Sequence, residues 1–97
     1  MHHINLGIQI VPKSKTIDTY LLVDQAIAVI QQSGVPYEVT PFETVMEGPQ
    51  EQLMQIALEA QQAVLNAGAD EVLVYYRMHI RNGGDVSMGE KTAKFAH

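Results

Sequence analysis

Cysteine and tryptophan are both absent from the 97 residues of this chain. Without cysteine there is no disulfide scaffold, no thiolate ligand for zinc and no thiol nucleophile. Long apolar runs are also missing, since no stretch approaches the roughly 20 residues that a membrane-spanning helix requires. The N-terminus lacks the basic region and the long apolar run of a signal peptide. We therefore expect a cytoplasmic protein with no membrane partner.

Basic residues are scarce in the middle of the chain. No lysine or arginine lies between Lys15 and Arg77, whereas nine acidic residues do, and the formal net charge is -5. A continuous basic stripe for a phosphate backbone is therefore absent, and we expect no nucleic-acid partner. An acidic body attracts cations, although solubility alone also explains such a charge.

Apolar periodicity predicts six main elements in one domain, residues 1–97. They are a strand over residues 4–11, a helix over 18–33 with Gly34 just past its end, strands over 35–40 and 43–47, a helix over 48–68 and a strand over 71–80. A capping-box pattern from Ser87 to Glu90 predicts a short helix that continues to about Ala96. The β-α-β-β-α-β order predicts an α+β, ferredoxin-like fold, in which two helices cover one face of a four-stranded antiparallel sheet. The first and third strands then lie at its centre.

The sheet face without helices is predicted to be mixed in polarity. Its residues on the first and fourth strands are Asn5, Gln9, Val11, Leu73, Tyr75, Arg77 and His79. Mixed faces with tyrosine and arginine are typical of interfaces. We therefore expect a homo-oligomer built sheet to sheet, and a solvated face is the alternative.

No residue pattern indicates catalysis or metal binding. The serines have no histidine near them in sequence, and they suit turns and helix caps. The loop after the first strand, residues 12–15, lacks the glycines and the arginine on which acylphosphatases of this topology depend. His79 shares its sheet face with Arg77, which disfavours a bound metal ion. We therefore expect a protein that is not an enzyme, with no catalytic and no metal-ligating residues.

Two glutamates of the predicted hairpin have no basic neighbour in sequence. Glu43 and Glu47 point to the same face, but about 13 Å of strand separates them. They must therefore have different partners. For Glu47 two readings remain open: it binds a cationic ligand or a partner subunit, or it accepts N–H groups at the start of the second helix.

Four segments resemble one family of small proteins. They are residues 22–27 (LVDQAI), 33–39 (SGVPYEV), 41–48 (PFETVMEG) and 87–92 (SMGEKT). In this order they resemble the thiamine-binding, YkoF-like family of ferredoxin-like proteins. The resemblance implies a non-catalytic protein that binds thiamine or its hydroxymethylpyrimidine moiety near subunit contacts. It also implies a tetramer, arranged as a dimer of dimers. Where members of the family have Met-Gly before the hairpin threonine, this chain has Phe42-Glu43.

Five polar side chains are the predicted ligand-binding residues: Gln9, Ser14, Tyr37, Thr44 and Glu47. An aminopyrimidine offers N–H donors and ring-nitrogen acceptors that suit amide, hydroxyl and carboxylate groups. We expect thiamine or a pyrimidine as a ligand and no other cofactor. The alternative function is a structural or regulatory oligomeric module that binds another metabolite or a protein. The alternative role of Thr44 is a cross-strand pair within the sheet.

Overall fold

Strands and helices account for most of residues 2–92, which the computed structural model describes. The strands are β1 (His3–Lys13), β2 (Tyr37–Val39), β3 (Thr44–Pro49) and β4 (Glu71–His79), and the helices are α1 (Thr19–Gln32), α2 (Gln50–Asn66) and α3 (Met88–Thr92). Their order confirms the predicted ferredoxin-like fold. The part of the predicted terminal helix beyond Thr92 lies outside the described residues. No helix within residues 2–92 combines the length and the apolarity that a bilayer span requires.

All four strands pair antiparallel in the order β2-β3-β1-β4, so β1 and β3 are central as predicted. The two neighbours of β1 cover different lengths of it. β4 pairs with β1 from Asn5 to Lys13, whereas β3 pairs with it only from His3 to Ile8. β3 therefore does not run beside residues 9–13 of β1.

The core lies between the sheet and the two long helices. Alternate residues of β1, Ile4, Leu6 and Ile8, are buried there with Met46 of β3. The helices contribute a buried stripe that consists of Leu22, Ala26, Ile30, Leu53, Ile56, Ala57, Ala60 and Val64. Each leucine, isoleucine, valine or methionine among them stabilises the fold by about 1.5–3 kcal/mol when it is fully buried. The strand alternation that buries these residues sends the other residues of the central strands to the helix-free face.

The ends of α1 follow from its flanking residues. Asp18 is the N-cap, and its Oδ1 accepts a hydrogen bond from the Tyr20 N–H at 2.8 Å. Gly34 lies just beyond the other end with φ at 82°, a left-handed conformation that favours glycine, as predicted.

The hairpin strands differ in length from the prediction. β2 is shorter, because Pro36 has no N–H to donate and Val35 turns into the core. β3 is longer and runs through Gly48 to Pro49, which pairs with His3. Pro49 is therefore the N-cap of α2 rather than its first helical residue.

A pair of glycine substitutions tests the backbone conformation beyond the two long helices. We expect Gly34→Ala to cost about 1–2 kcal/mol, because the left-handed conformation strains a side chain while the space around it is open. Gly68→Ala should cost more, since φ is 113° and the new Cβ would lie 2.5 Å from Cδ1 of Ile17. Urea denaturation measures both, and equal losses would contradict this account of Gly68.

Candidate functional site

One cavity lies on the helix side of the sheet, between α1 and the β2–β3 turn, and has a volume of about 270 Å³. We call it the helix-side cavity. Its lining consists of Ile8, Gln9, Ile10, Tyr20, Val23, Ala26, Ile27, Ile30, Val39, Thr40, Pro41, Phe42, Glu43 and Thr44. The volume is near the lower end of the range for small-molecule sites, so it suits a ligand of one or two rings.

The helix-side cavity exists because β1 outruns β3. Beyond the pair of Ile8 and Thr44, β1 continues without a neighbour on that edge. Thr44 points to the helix side of the sheet, and Gln9 points to the other side. Both line the cavity, because β1 has no paired strand on this edge beyond Ile8. The same missing strand segment leaves room for the cavity beside α1, whose Val23 and Ile27 belong to the lining.

The polarity of the helix-side cavity is concentrated at a few atoms. Thr44 is only 7% exposed, and its hydroxyl makes no hydrogen bond within residues 2–92. The amide of Gln9 lies in the same lining, and the remaining wall is mainly aliphatic. Tyr20 and Phe42 are highly exposed, at 81% and 78%. The cavity therefore offers an unpaired hydroxyl and an amide among apolar walls, beside two accessible aromatic rings.

Thr40 fixes the turn that carries Phe42. The Thr40 hydroxyl donates to the Glu43 carbonyl at 2.6 Å and accepts from the Phe42 and Glu43 N–H groups. The Thr40 N–H also donates to the Glu43 carbonyl, at 2.9 Å. Such local side-chain bonds hold a tight turn without regular strand pairing.

A second cavity, of about 350 Å³, lies on the helix-free face, and we call it the sheet-face cavity. Its lining consists of Asn5, Gly7, Glu38, Thr40, Glu43, Val45, Arg77, Met78, His79, Met88, Lys91 and Thr92. The Glu43 carboxylate lies over Gly7, where an added Cβ would be 2.6 Å from Oε2. Across Gly7, Nε of Arg77 is 3.9 Å from the same oxygen. Glycine at position 7 thus leaves room for an acid–base pair that bridges β3 and β4.

Comparison with known proteins identifies the family of this chain. Residues 6–96 match the sequence profile of the thiamine-binding protein family. The chain belongs to the thiamine-binding protein family. A UPF0045 protein of Clostridium perfringens is 35% identical over 91 residues, which cover 94% of this chain and 95% of the relative.

Solved structures of similar proteins share the fold. A domain of unknown function, DUF77, from Bacillus cereus is 41% identical with a TM-score of 0.95, and the match covers 98% of this chain and 91% of that one. A Thermotoga maritima protein described as a candidate for thiamine biosynthesis or salvage is 26% identical with a TM-score of 0.88, over 97% and 99% of the two chains.

In this member of the thiamine-binding family, the structure brings two of the five predicted ligand residues together. Gln9 and Thr44 line the helix-side cavity. Ser14 does not line it: its Oγ accepts from the Thr16 and Ile17 N–H groups, as a turn serine does. Tyr37 lies on the edge strand β2, paired with Met46, and lines neither cavity.

Glu47 accepts an N–H group at the start of a helix, but that helix is not the predicted α2. It lies on the helix-free face, and its Oε1 accepts the Met88 N–H at 2.6 Å. The helix start that it binds is therefore that of α3, because α2 packs on the opposite face of the sheet. The prediction that Glu43 and Glu47 have different partners is confirmed, since Glu43 faces Arg77.

The sequence patterns gave no ligand-binding role to several residues of the two cavities. Tyr20 and Phe42 bracket the helix-side cavity, and Arg77 and Asn5 line the sheet-face cavity. For Tyr20 and Phe42 the available signal was an aromatic residue at a position expected to be exposed, in the first turn of a helix and in a tight turn. For Arg77 and Asn5 local patterns carry no such signal, because their cavity neighbours come from distant parts of the sequence.

α3 closes one end of the sheet-face cavity through its capping box. The Glu90 N–H donates to Oγ of Ser87, and the Ser87 N–H donates to Oε1 of Glu90, which confirms the predicted box. Arg81 adds two hydrogen bonds to the Glu90 carboxylate, at 3.1 and 2.7 Å. The Arg81 bonds, with the Ser87 N–H, lower the pKa of Glu90 to about 2.

The pH dependence of this cap is a direct prediction. Because the pKa of Glu90 is about 2 in the fold and 4.5 ordinarily, the cap is at full strength above about pH 4.5 and is lost as the pH falls toward 2. The amide proton shift of Ser87, followed by NMR, should report this transition with a midpoint well below 4.5. Glu90→Gln should abolish it, and a midpoint at the ordinary value would contradict the Arg81 pairing.

Proposed function

We propose that this chain is a non-catalytic binding protein whose helix-side cavity holds thiamine or its hydroxymethylpyrimidine moiety. The single observation that carries the proposal is the Thr44 hydroxyl, which belongs to a residue only 7% exposed, has no hydrogen bond within residues 2–92 and lines an apolar cavity beside Gln9. A ligand that enters the cavity can bond this hydroxyl and gain a hydrogen bond in addition to its apolar contacts. A cytoplasmic location, expected from the sequence, remains part of this proposal.

The chemistry of an aminopyrimidine complements the helix-side cavity. Its exocyclic amine donates and its ring nitrogens accept, which matches the hydroxyl of Thr44 and the amide of Gln9. Its flat ring gains contact area from the aliphatic wall and from Tyr20 and Phe42, which are exposed and available for stacking.

The exposed aromatic rings of the lining favour a cationic ligand. Thiazolium carries a permanent positive charge, which the faces of Tyr20 and Phe42 attract. Glu43, the one charged residue of the described lining, directs its carboxylate over Gly7 on the helix-free face. The family of the chain and the description of the Thermotoga maritima relative support the same class of ligand.

The Thr44→Val variant tests the hydroxyl directly. The substitution keeps the shape of the side chain and deletes its unpaired hydroxyl, so stability should be unchanged or higher. The free energy of binding thiamine or hydroxymethylpyrimidine should become less favourable by about 1–3 kcal/mol. Isothermal titration calorimetry on the intact chain measures this change.

Thr16→Val is the matched control for this experiment. Thr16 is exposed in the loop before α1 and lines neither cavity. Its variant should bind as the parent does. If Thr44→Val binds thiamine with undiminished affinity while it remains folded, the ligand is not held at this hydroxyl. If no thiamine compound binds the parent, the structural or regulatory module becomes the favoured function.

Phosphate esters of thiamine should bind less tightly than thiamine itself. Lys13 and Lys15 do not line the helix-side cavity, and the described lining holds no lysine or arginine that could pair with the negative charge of a phosphate. We expect the pyrophosphate to bind at least about tenfold more weakly, a difference of about 1.4 kcal/mol. Equal affinities in a calorimetric series would show that the phosphate meets a cation outside this lining.

The oligomeric part of the proposal rests on the apolar half of the helix-free face. Leu73 and Tyr75 of β4 are 45% and 51% exposed there, beside Val11 of β1. These residues lie toward the Lys13 end of the sheet, away from the sheet-face cavity near Asn5. We propose that this half packs against a second copy, within a tetramer built as a dimer of dimers.

Tyr75→Lys should dissociate that assembly. A lysine at the centre of an apolar contact leaves a charge without a partner, so light scattering should report a smaller species than for the parent. Leu58→Lys is the control, because Leu58 is equally exposed, at 48%, but lies on α2. A monomeric parent, or a Tyr75→Lys variant with the mass of the parent tetramer, would contradict this interface.

A further inference from the structure

The sheet-face cavity has acidic and basic groups on opposite walls. Glu38 of β2 pairs with Val45 of β3, Val45 pairs with Gly7 of β1, and Gly7 pairs with Arg77 of β4. This row crosses the whole sheet on one face, with an acid at one edge and a base at the other. Val45 and Gly7 lie between them, and the Glu43 carboxylate covers Gly7.

Other charged groups lie between and beside Glu38 and Arg77. The Glu43 carboxylate lies over Gly7, 3.9 Å from Nε of Arg77, while His79 and Lys91 lie in the lining with Arg77. Arg77 makes no hydrogen bond within residues 2–92, and its contact with Glu43 at 3.9 Å is too long to be one. Its side chain is 74% exposed. The planar fork of the guanidinium is therefore available to a carboxylate, the group that it binds best in bidentate fashion.

Asn5 forms part of the same lining and holds an acceptor without a donor. The residue is only 4% exposed, and its Nδ2 donates to the Val86 carbonyl at 3.5 Å. Its Oδ1 is buried and has no hydrogen-bond partner within residues 2–92. Buried amide oxygens are nearly always bonded in folded proteins, so an orphan in a cavity wall indicates a group that arrives with a ligand.

We propose that the sheet-face cavity binds a small zwitterion of the α-amino-acid class. The carboxylate of the ligand would pair with Arg77, and its ammonium group would lie toward Glu38 and Glu43 and donate to Oδ1 of Asn5. This separation of donors and acceptors matches the opposite charges of the two cavity walls. The aliphatic part of the ligand would rest on Val45.

Other ligand classes fit this cavity less well. A phosphate would meet two carboxylates, and a metal ion would meet the guanidinium and ammonium groups of Arg77 and Lys91. A zwitterion satisfies both walls at once. The site is distinct from the helix-side cavity, although Thr40 and Glu43 border both.

Calorimetry of the intact chain with each of the L-amino acids, at up to about 5 mM, tests the proposal. We expect at least one to bind with a Kd below about 1 mM. For that amino acid, both the corresponding 2-oxo acid and the decarboxylated amine should bind at least about tenfold more weakly, because each lacks one of the two charges. The proposal would be overturned if no amino acid binds, or if either the 2-oxo acid or the decarboxylated amine binds as tightly as the amino acid.

Variants locate the binding and separate it from the thiamine site. Arg77→Gln, an exposed change, should weaken amino-acid binding at least about tenfold, while the control Lys13→Gln leaves it unchanged. Asn5→Ala removes the orphan oxygen and should weaken the binding as well. Thiamine affinity should be unchanged in Arg77→Gln, whether or not thiamine proves to be the ligand of the other cavity. Amino-acid binding that survives Arg77→Gln but is lost in Thr44→Val would place the zwitterion in the helix-side cavity and overturn the assignment.

Discussion

The difference in length between β1 and β3 is the constraint on which the rest of this structure depends. β1 spans eleven residues and β3 only six. Their pairing ends at Ile8 and Thr44, so the sheet is one strand narrower where the cavity forms beside α1. The turn from Thr40 to Glu43 borders the space beside residues 9–13 of β1 but does not fill it. An apolar cavity with a threonine hydroxyl in its wall is the direct result of this geometry.

The β2–β3 turn serves both faces of the sheet. Its backbone and Phe42 border the helix-side cavity, whereas the Glu43 side chain crosses Gly7 toward Arg77 on the helix-free face. Thr40 holds the turn through three hydrogen bonds of its hydroxyl group, so neither face depends on long strand pairing for its geometry. The approach of Glu43 to Arg77 requires glycine at position 7, because any side chain there would displace the Glu43 carboxylate.

Much of the fold followed from local patterns in the sequence. The alternation of Ile4, Leu6 and Ile8 predicts the buried face of β1, since a strand has a side-chain period of two. Gly34 predicts the end of α1, because only glycine adopts its positive φ without strain. The spacing of Ser87 and Glu90 predicts a capping box, which depends on two residues alone. Each of these features is set by a few neighbouring residues.

The cavities were harder to predict, because they depend on register and on distant elements. Gln9 and Thr44 were selected correctly as neighbours, but Ser14 was grouped with them although its oxygen is used within its own loop. The approach of Arg77 to Glu43 requires the registers of β1 with β3 and with β4, and alternation alone specifies a face but not a register. The unpaired oxygen of Asn5 likewise emerges only when the contacts of α3 and the preceding loop are known.

The position of bound thiamine is the measurement that tests the central claim most directly. Intermolecular nuclear Overhauser effects between the ligand and methyl-labelled protein distinguish the two faces of the sheet. The account predicts contacts from the pyrimidine ring to methyl groups of Ile27 and Ile30, which line the helix-side cavity. Contacts to the methyl groups of Val45, in the floor of the sheet-face cavity, with none to those isoleucines, would contradict it.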